Sequence, residues 1–461
     1  MQDNDTIAAI STPLGEGGIG IVRLSGPESY AIVDKFFERL GEKEAGSPQP
    51  RRLYYGHIRD KEGNYIDEVL VSFMPAPYTY TREDVVEINC HSGVFTLRAV
   101  LKLALEGGAR LAEPGEFTKR AFIHGRIDLT QAEAVLDIIR ARSEEAVKTA
   151  TRALQGELAY KINDIREKIV KIRAPLEASF DYPEEFEPQS PELFISKREL
   201  ERLADSIKDM LRGVEINRAY LEGVSVAIIG RPNVGKSSLL NALLRQQRAI
   251  VHELPGTTRD LLEGYMNLGG YPIQLVDTAG IQGTFDPVEK EGIERSRTAA
   301  GRARLVIAVF DGSSSWSDAD EEIACLRKER QGLVVVINKK DLIQKLSVEQ
   351  IEGNFPDAEI VQTSAIMGEG IKELEEAVTR QLDHILGKGQ DSSSVVSLRH
   401  EQTIREALKN VESALETLGK HPVELVSLEL QNAWHKLGEI TGETASEDLL
   451  DKIFSEFCLG K

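Results

Sequence analysis

The residues best able to do chemistry lie in an octapeptide, Gly-Arg-Pro-Asn-Val-Gly-Lys-Ser, at positions 230–237. It follows the apolar run 224–229 and precedes a leucine-rich, helix-like stretch, which is the strand, loop and helix context of a phosphate-binding loop. The glycines allow backbone N–H groups to turn toward phosphate oxygens, and the positive end of the helix favours the same anion. Lys236 could then reach the β- and γ-phosphates, and the Ser237 hydroxyl could bind Mg²⁺. The pattern predicts a nucleotide site.

Three further polar segments follow apolar runs in the same part of the chain. They are Asp-Thr-Ala-Gly at 277–280, Asn-Lys-Lys-Asp at 338–341 and Thr-Ser-Ala at 363–365. Ligands of open parallel sheets bind outside the carboxyl ends of the strands, so these segments and the octapeptide are expected to converge on one crevice. Asp277 would hold Mg²⁺ through water, and the Gly280 N–H would face the γ-phosphate.

The Asn-Lys-x-Asp element selects the base. The Asp341 carboxylate can accept hydrogen bonds from both the ring N–H and the exocyclic amine of guanine, whereas adenine would leave this carboxylate unpaired. Sites built on such hydrogen bonds discriminate by about 10⁴-fold or more. The predicted ligand is therefore GTP or GDP rather than ATP.

Composition limits the remaining possibilities. A chain of 461 residues suggests two to four domains, and 41% hydrophobic with 28% charged residues is ordinary for a globular protein. The first residues lack the pattern of a signal peptide, no apolar run approaches the ~18 residues of a membrane span, and three cysteines fit a reducing compartment. We therefore expect a cytoplasmic protein without membrane contact. A net charge of −19 argues against a globally basic nucleic-acid binder, so any RNA contact must use a local basic patch or a partner's surface.

Four segments of the chain differ in their predicted secondary structure. Residues 1–118 alternate short β-like runs, at 20–24, 68–73 and 84–88, with turns, which indicates an α+β domain. Residues 119–220 are helical in pattern, with an acidic, proline-rich interruption at 180–191 and a second helix at about 196–220. Residues 221–384 alternate strands and helices, and residues 385–461 are helical again after a linker-like stretch at 389–394. An insertion of the GTPase segment into one discontinuous helical domain is favoured, and two separate bundles remain the alternative.

Rare motifs along the whole chain carry a family resemblance. They are the start 4–7, the run 18–26, Pro-Gly-Glu-Phe at 114–117 with 120–122, Asp-Leu-Thr-Gln-Ala-Glu-Ala at 128–134, Gly-Thr-Thr-Arg-Asp at 256–260, and the end Cys-Leu-Gly-Lys at 458–461. In order and spacing they resemble the MnmE (TrmE) family of tRNA modification GTPases. The resemblance implies an α/β multidomain fold with an N-terminal α+β folate-binding and dimer-forming domain, a discontinuous α-helical domain and an inserted Ras-like, doubly wound α/β GTPase domain.

The resemblance also implies a function. Family members act as homodimers with the FAD protein MnmG, in a heterotetramer, and add a carboxymethylaminomethyl or aminomethyl group at C5 of the wobble uridine (position 34) of certain tRNAs. A 5-formyl- or methylene-tetrahydrofolate supplies the one-carbon unit, and GTP hydrolysis with Mg²⁺ and K⁺ is required.

The resemblance and the motifs together assign the nucleotide contacts. Mg²⁺ would bind Ser237 and Thr258. K⁺ would be held by Asn233 and by His252, Leu254 and Thr257, replacing an arginine finger. The full set of GTP contacts is Asn233, Val234, Gly235, Lys236, Ser237, Ser238, His252, Glu253, Leu254, Pro255, Gly256, Thr257, Thr258, Asp277, Thr278, Ala279, Gly280, Asn338, Lys339, Asp341, Ser364 and Ala365.

The residue that positions the attacking water differs from that of Ras-type proteins. Ile281 follows Asp-Thr-Ala-Gly, and an aliphatic side chain cannot orient water. The resemblance assigns this role to Glu289. Gln282 stands where relatives often carry arginine, so this chain departs from them by having an uncharged side chain at that point.

The two ends of the chain supply a second predicted site. The resemblance assigns folate binding to Arg23, Glu87, Arg126 and Lys461, and Glu87 suits the pterin ring while an arginine suits the glutamate tail. Lys461 would close the pocket, so the C-terminus must fold back onto the N-terminal domain. Cys458 is a candidate catalytic residue in the modification chemistry. A small buried structural cysteine is the alternative, and the terminal lysine argues against prenylation.

Two other functions fit parts of the pattern. An RNA- or ribosome-assembly GTPase without modification chemistry would carry similar nucleotide motifs, but the long N-terminal portion and the Cys-x-Gly-Lys end argue against it. A stand-alone folate-dependent aminomethyltransferase would not need an intact GTPase segment.

Overall fold

The computed structural model describes residues 5–40, 48–181, 191–212, 214–248, 265–276, 297–298, 300–326, 331–356, 358–387 and 397–461. The chain divides into two compact units. Unit 1 comprises Met1–Leu136, Ala153–Glu185 and Val423–Lys461, and unit 2 comprises Asp137–Arg152 and Phe186–Pro422. Both units are therefore discontinuous in sequence.

The strands and helices have the following bounds. The strands are β1 (Ile7–Ile10), β2 (Gly20–Ser25), β3 (Phe37–Arg39), β4 (Leu53–Arg59), β5 (Tyr65–Met74), β6 (Val85–Cys90), β7 (Arg110–Leu111), β8 (Val224–Ile229), β9 (Tyr265–Leu268), β10 (Tyr271–Leu275), β11 (Leu305–Asp311), β12 (Gly332–Asn338) and β13 (Glu359–Gln362). The helices are α1 (Ser29–Val33), α2 (Val94–Glu106), α3 (Glu116–Ile123), α4 (Leu129–Arg140), α5 (Glu144–Leu154), α6 (Glu157–Asp181), α7 (Pro191–Met210), α8 (Val214–Glu222), α9 (Lys236–Arg248), α10 (Asp318–Ala324), α11 (Val348–Asn354), α12 (Ile371–Leu386), α13 (Leu398–Thr417), α14 (Val423–Thr441) and α15 (Glu447–Ser455).

The sheet of unit 1 has the strand order β3-β4-β5-β6-β2-β1-β7. Its pairs are antiparallel except for β1 with β7. Alternate side chains of these strands enter a core with α1 and α2 on one face of the sheet. The three predicted β-like runs correspond to β2, β5 and β6, so the α+β prediction for this segment is confirmed.

The sheet of unit 2 has the order β13-β12-β11-β8-β10-β9, and all its pairs are parallel except β9 with β10. Every residue of β11 and β12 is buried, as expected for parallel strands covered on both faces. One core includes residues of α8, α9 and α12, and the opposite core includes residues of α10 and α11. This is a doubly wound α/β arrangement, and the carboxyl ends of β8, β11, β12 and β13 share one edge.

Helices from before and after this sheet segment pack on each other. In unit 1, α6 packs along α14, and the residues that recur at three- and four-residue spacing along α6, Ile162, Ile165, Ile169, Ile172 and Leu176, are buried. In unit 2, α7 packs along α13. Each pairing joins a helix that precedes the α/β segment to one that follows it, with one pair in each unit.

The prediction of one helix was wrong. The single helix expected at about 196–220 is two helices, because α7 ends at Met210 and α8 begins at Val214. The backbone N–H groups of Leu211 and Arg212 donate to carbonyls three residues back, which closes α7 with a tight turn. Helix α8 then packs on β10, before the predicted start of the GTPase segment at 221.

Two expected connections lie partly or wholly outside the described residues. Residues 182–190, within the predicted acidic loop, and the predicted linker at 389–394 are among those that the structure does not describe. Among the described helices, none has the length and apolar content required to cross a bilayer.

Candidate functional site

The octapeptide forms a tight loop between β8 and α9. Gly230 and Gly235 have φ values of 151° and 103°, which residues other than glycine rarely adopt. Asn233 also has a positive φ, of 64°. A Cβ atom at Gly235 would overlap the amide nitrogen of Asn338. The loop therefore needs glycine at this point both for its backbone conformation and for the close approach of β12.

Lys236 is the buried cation of this loop. Its Nζ donates to the carbonyl oxygens of Gly230 and Arg231, at 2.8 and 2.7 Å. Burial lowers the pKa of Lys236 to about 8. The described residues give it only neutral acceptors, so an anion bound in the loop would stabilise the charged amine and take the place of these carbonyls.

Asn338, at the end of β12, connects the phosphate-binding loop to the base-recognition loops. Its Nδ2 donates to the Val234 carbonyl at 2.9 Å, while its Oδ1 accepts from the Thr363 hydroxyl and the Ala365 N–H, both at 3.1 Å. The side chain is buried, with a relative exposure of 2%. One amide thus fixes the relative positions of three of the predicted segments.

Asp341 and Ser364 meet at the mouth of the crevice. The Ser364 hydroxyl donates to Asp341 Oδ1 at 2.5 Å, and the Lys340 N–H donates to the Thr363 carbonyl at 2.9 Å. Asp341 itself is exposed. A donor pair such as the N1–H and amine of guanine could approach this exposed carboxylate.

Lys339 is held by a residue that sequence reasoning missed. Its Nζ lies 2.7 Å from Oδ2 of Asp311, the last residue of β11, and its φ is 65°. Burial alone would raise the pKa of Asp311, but hydrogen bonds from Lys339 and Ser313 outweigh burial and lower the pKa below its usual value. The signal was present in the sequence, since Asp311 ends an apolar run just as Asp277 and Asn338 do.

The remaining predicted nucleotide contacts divide into two groups. Asn233, Ser237 and Ser238 lie in the loop and first turn of α9 with exposed side chains. The others lie outside the described residues: His252, Glu253, Leu254, Pro255, Gly256, Thr257, Thr258, Asp277, Thr278, Ala279, Gly280 and Glu289, together with Gln282. Their assignments stay predictions.

The second predicted site begins with an ion pair in the sheet of unit 1. Arg23 on β2 lies directly opposite Glu87 on β6, and the two side chains pair at 2.8 Å. Arg23 also donates to the carbonyl of Gly460 at 3.4 Å. A Cβ atom at Gly460 would overlap the Ile10 carbonyl, so the last residues lie against β1. The expected return of the C-terminus to the N-terminal segment is therefore present in unit 1.

Aromatic rings surround this ion pair. The Arg23 guanidinium lies 6.0 Å from the ring centre of Tyr80 and 5.6 Å from that of Phe117, and the Arg126 guanidinium lies 4.6 Å from Tyr80. Three of the predicted folate residues are thus brought together around Tyr80, which sequence reasoning did not single out. The strand register places the Arg23 and Glu87 side chains side by side, and the expected division of the folate contacts, with Glu87 on the pterin and Arg23 or Arg126 on the glutamate tail, stays a prediction.

The C-terminal residues differ in exposure. Cys458 is exposed, which contradicts the alternative of a small buried cysteine, and Lys461 is half-buried. Cys90 is the buried thiol, and burial, with a contribution from Asp67, raises its pKa to about 12. Any thiolate chemistry near this site would therefore belong to Cys458 rather than to Cys90.

Comparisons with known proteins identify the relatives of this chain. The family pattern described as the GTP-binding protein TrmE N-terminus matches residues 6–126, and the MnmE helical domain matches residues 129–458. The tRNA modification GTPase MnmE of Alkaliphilus oremlandii is 44% identical and that of Carboxydothermus hydrogenoformans 47% identical. These matches cover 100% and 99% of both chains, respectively.

Among solved structures, the crystal structure of Era in complex with MgGDPNP and a 16S ribosomal RNA fragment matches 34% of this chain and 56% of that chain, with 30% identity and a TM-score of 0.27. The family expected from the sequence motifs is confirmed by the full-length relatives, and with it the α/β multidomain fold class. The chain belongs to the MnmE family of tRNA modification GTPases.

Proposed function

We propose that this chain hydrolyses GTP to GDP and phosphate during modification of the wobble uridine of certain tRNAs. With an FAD-dependent partner resembling MnmG, it takes part in adding a carboxymethylaminomethyl or aminomethyl group at C5 of that uridine. The observation that carries the nucleotide part is the Asn338 side chain, which ties the phosphate-binding loop to both base-recognition loops through three hydrogen bonds.

The loop residues fit a magnesium-bound guanine nucleotide. Lys236 lacks an anionic partner among the described residues and has its pKa lowered by burial, so phosphate oxygens would supply the missing counter-charge. Ser237 lies in the first turn of α9 with an exposed side chain, where a hydroxyl can bind Mg²⁺. Asp341, oriented by Ser364, would accept from the guanine edge. Bound Mg²⁺ and K⁺ would supply positive charge that neutralises the charge developing on the phosphates.

Hydrolysis needs three further contributions, and we assign all but one of the residues involved to positions outside the described ranges. Glu289 would position the attacking water, and Thr258 would complete the Mg²⁺ ligands. Asn233, His252, Leu254 and Thr257 would hold K⁺. The exposed Asn233 side chain at the edge of the loop is compatible with such a ligand.

The Arg23 and Glu87 pair is the basis of the folate proposal. The pair offers hydrogen-bond donors and an acceptor beside the rings of Tyr80 and Phe117. The guanidinium of Arg126 also lies against the Tyr80 ring. A flat pterin ring suits an aromatic wall, and the glutamate tail suits an arginine. Lys461 and Cys458 would lie at this pocket because Gly460 is held by Arg23. A 5-formyl- or methylene-tetrahydrofolate bound there would supply the one-carbon unit.

The remaining parts of the proposal concern assembly and location. We propose a homodimer that joins the MnmG-like protein in a heterotetramer, with tRNA contacted through local patches of this chain or through the partner. A cytoplasmic location without membrane contact is supported by the three cysteines, which are all free.

The test is mass spectrometry of wobble uridines in cells that lack the chain and carry one of four versions of it. Wild type and Arg98→Ala, a change at an exposed α2 residue, should restore the modified nucleoside. Lys236→Ala and Arg23→Ala should not. Normal modification in the empty deletion strain would contradict the proposal and would favour an RNA- or ribosome-assembly GTPase.

A further inference from the structure

An exposed tyrosine and an arginine form a pair at one end of the unit 1 sheet. The Tyr78 side chain is exposed, with a relative exposure of 80%. The Arg51 guanidinium lies 5.8 Å from the centre of the Tyr78 ring and donates to the Tyr78 carbonyl at 3.1 Å. A large ring with one cation beside it and its remaining surface in solvent is an available stacking platform.

Two more arginines extend this feature. The guanidinium groups of Arg39 and Arg52 lie 4.4 and 5.5 Å from the ring centre of Tyr54, which is buried beneath them. Arg39, Arg51, Arg52 and Tyr78 are called the arginine–tyrosine surface below. Since the Arg51 N–H donates to the Phe73 carbonyl at 2.9 Å, the surface is attached to strand β5.

The charge of this surface stands out against the acidic chain. The protein carries a net charge of −19, yet Arg51 lies beside the exposed Tyr78 ring, while Arg39 and Arg52, which make further contacts, lie over the Tyr54 ring. The neighbouring Glu38 pairs with Arg59, at 2.6 Å, and one oxygen of Asp84 accepts from the Ala76 N–H. Arginines beside an exposed aromatic ring match the phosphates and unstacked bases of a single-stranded RNA loop, whereas an acidic peptide would make no use of the ring.

The position of the surface connects it to the candidate folate pocket. Tyr78 precedes Tyr80 by two residues, so their Cα atoms are at most about 7 Å apart. Tyr80 in turn contacts Arg23 and Arg126. The stacking ring is therefore close along the chain to the candidate folate pocket.

We propose that the arginine–tyrosine surface binds the unpaired anticodon loop of the tRNA substrate, with Tyr78 stacking on a base and Arg51 contacting phosphate. This inference rests on the proposed function, because it takes tRNA as the substrate. It assigns to this chain, rather than to the partner alone, a direct role in placing the wobble base near the folate.

The test is fluorescence anisotropy of a labelled, unmodified tRNA titrated with the full-length chain over a series of salt concentrations. Tyr78→Ala should weaken binding by about 5- to 150-fold, the range for loss of a base-stacking ring, and Tyr78→Phe should restore it. Arg51→Ala should lower the salt slope by about 1. The matched controls are Tyr160→Ala, whose side chain is also exposed, at 76%, and Arg98→Ala.

Three results would overturn the inference. Equal tRNA affinity of Tyr78→Ala and Tyr160→Ala would show that the arginine–tyrosine surface does not bind tRNA, and the proposed function would be unaffected. Loss of a dimer in Tyr78→Ala with unchanged affinity for tRNA, measured by light scattering, would show that a second copy of the chain covers the ring. Failure of the wild type to bind tRNA would contradict both this inference and the tRNA part of the proposed function. Thermal unfolding of each variant checks that the fold is kept.

Discussion

Replacement of Asn338 by alanine tests the connection between the phosphate-binding and base-recognition loops. The substitution removes three hydrogen bonds from a side chain with a relative exposure of 2%. The Thr363 hydroxyl can turn to another acceptor, but the Val234 carbonyl and the Ala365 N–H are fixed in the backbone. Two buried polar groups without partners cost about 1–3 kcal/mol each, and a water admitted into the space recovers part of this.

We therefore expect Asn338→Ala to destabilise unit 2 by about 3 kcal/mol. For a domain of this size, that loss corresponds to a fall of about 6 to 12 °C in Tm. GDP affinity should fall as well, because the Ala365 N–H and the loop at Val234 lose their common anchor. The matched control is Asn354→Ala, since the Asn354 amide is exposed and makes one bond to the Gln350 carbonyl. Its effect should stay below about 0.5 kcal/mol.

Differential scanning calorimetry of the nucleotide-free protein measures the Tm of each variant, and titration calorimetry measures GDP affinity. A Tm of Asn338→Ala within 2 °C of the Asn354→Ala control, where about 6 °C or more is expected, would refute the reasoning. It would mean that the three hydrogen bonds contribute nothing net and that the loops are positioned by packing alone.

Four further predictions concern the nucleotide and the folate. Asp341→Asn should weaken GTP binding and favour xanthosine nucleotides, whose ring has a carbonyl where guanine has the amine; unchanged GTP affinity in a titration would remove this role. Replacing K⁺ by Na⁺ at constant ionic strength should slow GTP turnover greatly, and Glu289→Ala should lower the rate by about 10² while nucleotide affinity is kept. Equal rates in both salts, or a normal rate in the variant, would move these roles elsewhere. Arg23→Ala or deletion of residues 458–461 should abolish folate binding and uridine modification while GTP hydrolysis survives, because Arg23 holds both Glu87 and the Gly460 carbonyl. Calorimetry with 5-formyltetrahydrofolate checks this, and equal affinity of Arg23→Ala and wild type would leave the pair a structural contact.

The nucleotide site was the part most readily predicted from sequence. A glycine that must take positive φ, a lysine at the start of a helix and a polar residue at the end of an apolar strand are local features, and each can be recognised within about ten residues. Lys236, Asn338 and Asp341 were found in this way, and their strands meet because parallel strands end at a common edge. Asp311 has the same local signal, but its role depends on Lys339 from a different strand.

The family, the class of ligand and the order of the α/β elements could be predicted before folding was considered, because they depend on motifs and on hydrophobic periodicity along the chain. Which distant residues meet depends instead on the folded arrangement. Arg23 and Glu87 face each other because of the register between β2 and β6, which no local pattern encodes. Likewise, α6 lies on α14 and α7 on α13 only because their apolar faces are buried together after the chain has folded. Pairings of this kind depend on contacts between residues far apart in sequence, so periodicity can predict a buried face but not its partner.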